Sequence, residues 1–333
     1  MQGHLILPPQ PDPQRAERSA EITAHLRVLA TSDLHMHLAP FDYYADSDCP
    51  QRGLAMTASL IRTARAEAEN HLLFDNGDFL QGSPLGDFVT LSGMQPNPMI
   101  AAMNRLGYDA VNLGNHEFSN GVDHLLDAMR EAEFPFVSAN VFHADTGGPL
   151  VPPSLILRRW ITTRDGGRHM LRIGVTGVLP PQTGIWDRQA IGGRVTMTEM
   201  AEALQHSVPA LRAAGADLVI VLAHCGIGSM DGSADDENAG LQISTIPGVD
   251  ALVLGHVHAP FPLPHGGETL NTAPGSQAVD EVNGRLNGVP AVMPGFYGSQ
   301  LGGGGLGPRR GGGGGGGVFG GCGRRPAAGA RPH

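Results

Sequence analysis

Aspartate, asparagine and histidine recur along this chain in short clusters, each directly after a run of apolar residues. Asp33-Leu34-His35 follows residues 26–31, Gly77-Asp78 follows 72–75, and Gly114-Asn115-His116-Glu117 follows 110–113. His224 follows 218–223, and Gly255-His256-Val257-His258 follows 251–254. Carboxylate, imidazole and amide oxygen are the donors that hold divalent metal ions. Taken singly, each cluster has an ordinary explanation. An Asp-x-His pair is common by chance, Asp78 reads equally as a turn or capping residue, and a lone His224 ending a buried strand is more often a satisfied core residue than a ligand. Gly77 allows a sharp turn that brings the Asp78 carboxylate to the strand end. His116, next to Asn115, is placed to meet a substrate. Alternation along an extended chain puts His256 and His258 on one side. Taken together, five such clusters at strand ends are not accounted for by independent core and capping roles, and they point to metal-assisted chemistry.

The elements that must position these residues are legible as a rhythm. Apolar runs at 26–31, 72–75, 110–113, 134–137, 171–178, 218–223 and 251–254 alternate with helix-like stretches at 53–68, 98–106, 122–132 and 200–214. That alternation predicts an α/β fold. In such folds ligands bind at the carboxyl ends of the strands, so the clusters are expected to converge on one rim.

Composition bounds the rest. A chain of 333 residues, 41% hydrophobic, can bury one large core or two modest ones. No run approaches the roughly 18 to 20 apolar residues that cross a bilayer, and no signal-peptide pattern opens the chain, so no membrane partner and a cytoplasmic location are expected. Three scattered cysteines give neither a disulfide framework nor a thiolate zinc site. Residues 1–25 read as a mobile leader and 26–300 as the catalytic domain. Residues 301–333 hold 16 of the 48 Gly, five Arg and no acid, and are expected to be a disordered tail. Two origins fit that tail: an RNA-binding Arg/Gly segment, disfavoured by its paired Arg and single aromatic Phe319, or a shifted reading frame in G/C-rich DNA. Removing its +5 from the total of −10 leaves −15 on the first 300 residues. That charge argues against a nucleic-acid polymer as partner but is silent on small phosphate esters, whose charge metal ions can meet.

The ordered set of clusters resembles the calcineurin-like metallophosphoesterase superfamily. The stretches DLHMHLAPFDYYAD, GLAMTASLI, DNGDFLQGSPLGD, GNHEFSNG, GVLPPQ, IPGVDALVLGHVHAPFP and NGVPAVMPGFYGSQLG resemble, more narrowly, the bacterial 2',3'-cyclic-nucleotide 2'-phosphodiesterase/3'-nucleotidase family, from about Leu26 to Leu301. The resemblance implies a four-layer α-β-β-α metallophosphoesterase sandwich with two divalent ions at the strand ends, of identity left open among Mn, Zn, Co and Fe. It implies one metal held by Asp33, His35 and His258, the other by Asn115, His224 and His256, and Asp78 bridging both. His116 matches the residue that meets the phosphate or protonates the leaving oxygen. The implied reaction on a small nucleotide substrate is opening of 2',3'-cyclic nucleotides to 3'-nucleotides, then release of nucleoside and phosphate, by a metal-bridging hydroxide. Asp75, Asn76 and Glu237 are candidates to hold the second ring nitrogens of the histidine ligands. Two departures separate the chain from the 5'-nucleotidases: Ser119 stands where an Asp orients their histidine, and His258 where their motif often ends in Gln. Family members that act on external nucleotides are periplasmic and usually carry a second, carboxyl-terminal domain, for which nothing after Leu301 provides. A 5'-nucleotidase and an inactive truncated remnant that still binds metal are the alternatives.

Overall fold

The structure, a computed structural model, describes residues 24–230, 237–262, 278–307 and 316–318. The expected leader, apart from Ala24 and His25, and most of the expected tail lie outside the described residues. Four strands, β1 (Leu26–Thr31), β2 (His71–Asp75), β3 (Ala110–Asn112) and β4 (Phe136–Val137), pair in parallel in that order. A second sheet is built on β5 (Ser154–Thr162), β6 (Arg168–Val178), β7 (Leu218–Ala223), β8 (Ala251–Leu254) and β9 (Val289–Pro294). There β6 to β9 are parallel and β5 is an antiparallel edge.

Alternation along each strand decides which layer a side chain joins. Val28, Ala30, Leu72 and Phe74 face inward and meet Ile173, Val175, Ile220, Leu222 and Val253 of the opposite sheet. Leu29, Leu73 and Val111 face the other way, under α1 (Leu54–Ala66), α2 (Pro84–Ser92), α3 (Pro98–Leu106) and α4 (Val122–Glu131). Two short helices, α5 (Thr183–Trp186) and α6 (Arg188–Ile191), precede α7 (Met200–Ala213), whose Leu204, Val208 and Leu211 cover Val219, Val221 and Leu252. The result is the expected four-layer α-β-β-α sandwich, with strands apolar on both faces because both faces are covered. Two asparagines join the sheets near the site. Asn112 Nδ2 donates to the carbonyls of Val178 (2.8 Å) and Leu222 (3.0 Å), and Asn76 Nδ2 to that of Ala223 (2.9 Å). No helix among the described residues is long and apolar enough to cross a membrane.

The tail is corrected at its start. β10 (Gly302–Gly307) pairs antiparallel with β1, and Gly316–Val318 pairs with β10 in turn. Leu301 and Leu306 are buried. Glycine brings no side chain to a core, but its N–H and C=O still complete a ladder, and the open edge of β1 supplies the template. Sequence periodicity also passes over α2, β5 and β9. In α2 the start is set by local capping instead, with Ser83 accepting from Gly86 N ahead of Pro84 and a left-handed Gly93 ending the helix.

Candidate metal centre

All seven expected ligand residues and His116 meet at one rim, at the carboxyl ends of β1, β2, β3, β7 and β8. Asp33, His35 and His258 offer ligand atoms within 4.8 Å of one another, as do Asp78, His224 and His256, and as do His35, Asp78 and His116. Asn115 Oδ1 completes the second group, 3.1 Å from His256 Nδ1. Asp33, Asp78 and His224 are buried.

The backbone is bent to achieve this. Five of the seven residues are left-handed: Asp33 (φ 55°), His35 (45°), Asp78 (60°), His256 (72°) and His258 (55°). That conformation costs a non-glycine residue of order ~1 kcal/mol each. It also overturns the reason given for pairing His256 with His258, since neither lies on extended chain. Their rings reach different parts of the centre, His258 towards His35 and Asp33, His256 towards Asn115. Backbone hydrogen bonds hold the strained loops together: Asp33 N to Gly77 O (2.9 Å), His35 N to Asp78 O (2.8 Å) and Met36 N to Phe79 O (3.1 Å). Gly77 turns at φ 96°, and a Cβ there would lie 2.3 Å from Gly114 N, so the β2 and β3 loops touch at backbone distance.

The polar atoms at the centre crowd together donor types that suit a divalent ion. His224 Nδ1 lies 2.7 Å from the Asn76 carbonyl, which can only accept, so Nδ1 carries the hydrogen. Its buried Nε2 then faces Asp78 Oδ2 at 3.0 Å without hydrogen-bond geometry. His35 repeats the pattern: Nδ1 gives its hydrogen to Gln81 O (2.8 Å), and Nε2 faces His258 Nε2 at 2.9 Å. Each contact is reconciled by a proton or by a metal ion between the two atoms, and these donor types suit a divalent ion. The electrostatics show the same demand for positive charge between Asp78 and His224, where a proton can also meet it. Burial pushes the Asp33 carboxyl up to about 7 and, outweighing the attraction of Asp78, the His35 ring down to about 4. Burial also opposes charge on Asp78 and His224, but their mutual attraction wins, holding Asp78 below the usual carboxylate range and raising His224 to about 10.

The partners of the ring nitrogens are mostly main chain. Asn76 serves through its carbonyl and not its side chain, and Gln81, not among the candidates, serves likewise. Glu237 Oε2 is 3.5 Å from His256 Nε2. Asp75 is engaged elsewhere, accepting from Thr31 Oγ1 (2.6 Å) and Gly77 N (2.9 Å), and burial raises its carboxyl well above the ordinary range.

The model for the calcineurin-like phosphoesterase family matches residues 26–260. The chain belongs to that family. This calcineurin-like phosphoesterase is 44% identical over 283 residues to the 2',3'-cyclic-nucleotide 2'-phosphodiesterase/3'-nucleotidase of Yersinia enterocolitica, covering 84% of this chain and 42% of the relative. It is 32% identical to the 5'-nucleotidase of Rattus norvegicus over 239 residues, 70% of this chain and 38% of that one. The chain thus spans less than half the length of these relatives. Among solved structures, the calcineurin-like phosphoesterase YfkN from Bacillus subtilis superposes with a TM-score of 0.80 at 36% identity, covering 88% of each chain.

Several residues around this phosphoesterase centre carry no ligand signature and are not found by motif reading. Tyr297, left-handed after β9, donates its N–H to Asp33 O (2.7 Å), accepts from Gly53 N (2.7 Å) at the start of α1 and stacks on His37. Phe296 stacks on His258 and the exposed Trp186 on His256. Glu117 is buried and accepts four backbone N–H groups from the β2 and β3 loops. Aromatic residues after a strand and an acid after the Asn-His pair are the faint signals that could have marked them.

Proposed function

We propose that this chain hydrolyses phosphate esters of nucleotides, opening 2',3'-cyclic nucleotides to 3'-nucleotides and then releasing nucleoside and phosphate. The observation that carries the reading is the convergence of metal-ligand atom types from five strand ends at one rim, where His116, His256 and His258 stay partly exposed. The printed activities of the bacterial relatives supply the substrate class. Asp33, His35 and His258 are proposed to hold one ion, Asn115, His224 and His256 the other, and Asp78 both; Mn, Zn, Co or Fe suit the mixed donor set. When bound, such a pair of ions would supply Lewis acidity at phosphoryl oxygens and lower the pKa of a water.

The chain's own residues do the rest. The Asn76 and Gln81 carbonyls fix His224 and His35 so that Nε2 faces the centre. The Glu117 carboxylate locks the loops that bear Asp78 and Asn115. His116, whose N–H bonds Asp78 Oδ1 at 2.8 Å, is positioned to give a proton to the departing ribose oxygen. The 5'-nucleotidase reading shares this centre and differs in how the sugar is presented.

The test is hydrolysis of bis(p-nitrophenyl) phosphate and of 2',3'-cyclic AMP in the presence of Mn, beside Asp78→Ala. The expected result is activity on both, reduced at least ~10²-fold in the variant. Two bound metals without turnover would overturn the reading and make the chain a metal-binding remnant. Activity on nucleoside 5'-phosphates alone would favour the 5'-nucleotidase.

A further inference from the structure

The histidines of the proposed ligand set are held in two different ways. His35 and His224 each have a ring nitrogen against a backbone carbonyl, Gln81 O at 2.8 Å and Asn76 O at 2.7 Å. His256 and His258 have no such partner among the described residues. His258 Nε2 faces His35 and Asp33, and His256 Nδ1 faces Asn115, all of them proposed ligands themselves. Glu237 Oε2 stands 3.5 Å from His256 Nε2, longer than an ordinary hydrogen bond. In place of a carbonyl, a flat aromatic ring lies against each imidazole. Trp186 lies on His256 with ring centres 5.7 Å apart and planes 13° apart, and Phe296 on His258 at 4.8 Å and 10°.

Strand order explains where the two rings come from. β7 and β8, which end in His224 and in His256 and His258, are neighbours, with β6 on one side and β9 on the other. β6 and β9 supply no proposed ligand. Each is followed instead by a turn that delivers an aromatic side chain, Trp186 from α5 after β6 and Phe296 directly after β9. Both turns are pinned. Thr183 Oγ1 donates to Pro180 O at 2.7 Å and Trp186 N to Gln182 O at 2.9 Å. Tyr297, next to Phe296, donates its N–H to Asp33 O and sets its ring 5.6 Å from that of His35. Trp186 is 47% exposed, so filling the core does not account for it.

An imidazole that shares the charge of a bound cation is attracted to an aromatic face as a cation is, most strongly to that of Trp. Stacking of this kind favours the metal-bound ring over the free one, which an aliphatic side chain of similar bulk does not. We propose that Trp186 and Phe296 are positioning residues, one for each proposed ion, that hold His256 and His258 by stacking and raise the affinity of the site each ring serves. The inference rests on the metal-centre reading for the roles of the two histidines.

The experiment titrates Mn into the chelator-stripped full chain against a competing chromophoric chelator, for the parent, Trp186→Leu, Phe296→Leu, the double variant, and the ring-preserving Trp186→Phe and Phe296→Tyr. The parent is expected to bind two Mn. Each leucine variant should weaken one of the two binding steps by roughly 3–10-fold and leave the other within about twofold, and the double variant should show both losses. The ring-preserving variants should stay within about twofold of the parent, with the circular dichroism of every metal-free protein unchanged. Ring-preserving variants that lose as much as the leucine variants, or single variants that weaken both steps equally, would overturn the proposal. A parent that binds two Mn beside leucine variants that titrate like it would overturn the stacking role alone. A parent that binds no Mn would overturn the metal-centre reading on which it rests.

Discussion

At the scale of single residues, the centre depends on groups that never touch a ligand. Glu117 accepts from Asp78 N and Gly114 N through Oε2, both at 2.7 Å, and from Phe79 N and Leu80 N through Oε1, at 2.8 and 3.1 Å. Glu117→Gln sets an NH2 against two of those donors. With each orphaned buried N–H costing 1–3 kcal/mol, the expected loss is about 3 kcal/mol by urea denaturation at unchanged m. A loss below about 0.5 kcal/mol would mean that the loops hold themselves. Gly255 acts by what it lacks: a Cβ there would sit 2.2 Å from Ser32 Oγ and 2.8 Å from Asp33 Oδ2. Gly255→Ala is therefore expected to displace Asp33 and weaken metal affinity by roughly 10–100-fold in a competition titration, with the fold retained by circular dichroism. The residues that gather at the rim were legible because residue type and position after an apolar run are written in the sequence. Their ring partners were not, because a backbone carbonyl looks the same at every position.

At the scale of elements, β10 is the piece that sequence periodicity could not see. Gly302 to Gly305 have no side chains to alternate, so their conformation is dictated by the partner β1, residue for residue from Ala30–Gly302 to Leu26–Leu306. Longer strands and amphipathic helices, such as β7 and α4, were legible because their own side chains state which face is covered. A chain ending at Gln300 loses Leu301 and Leu306 from the core and bares the edge of β1. Burial of two leucines stabilises by about 4 kcal/mol, so its Tm should fall by roughly 10 °C against a chain ending at Gly307, with larger particles by light scattering. Equal melting of the two truncations would show that the strand contributes little.

At the scale of the whole molecule, the proposed ligands come from both sheets: Asp33, His35, Asp78 and Asn115 from one, His224, His256 and His258 from the other. An ion bound between them ties the two halves together and is expected to stabilise the fold by mass action. Removing metal with a chelator should lower Tm by roughly 5–10 °C, restored by added Mn or Zn, if the ions were present at a hundredfold or more above their Kd. An unchanged Tm would argue that the two sheets are already held by their apolar interface and by Asn112 and Asn76 alone. The left-handed ligand positions have a further consequence, for mutational drift. Glycine and asparagine are the residues most at ease at those φ values. Replacing Asp33, Asp78 or His256 with glycine would relieve the backbone in the same step that removes a proposed ligand. At those five positions, then, the fold's own preference and the needs of the centre pull in opposite directions.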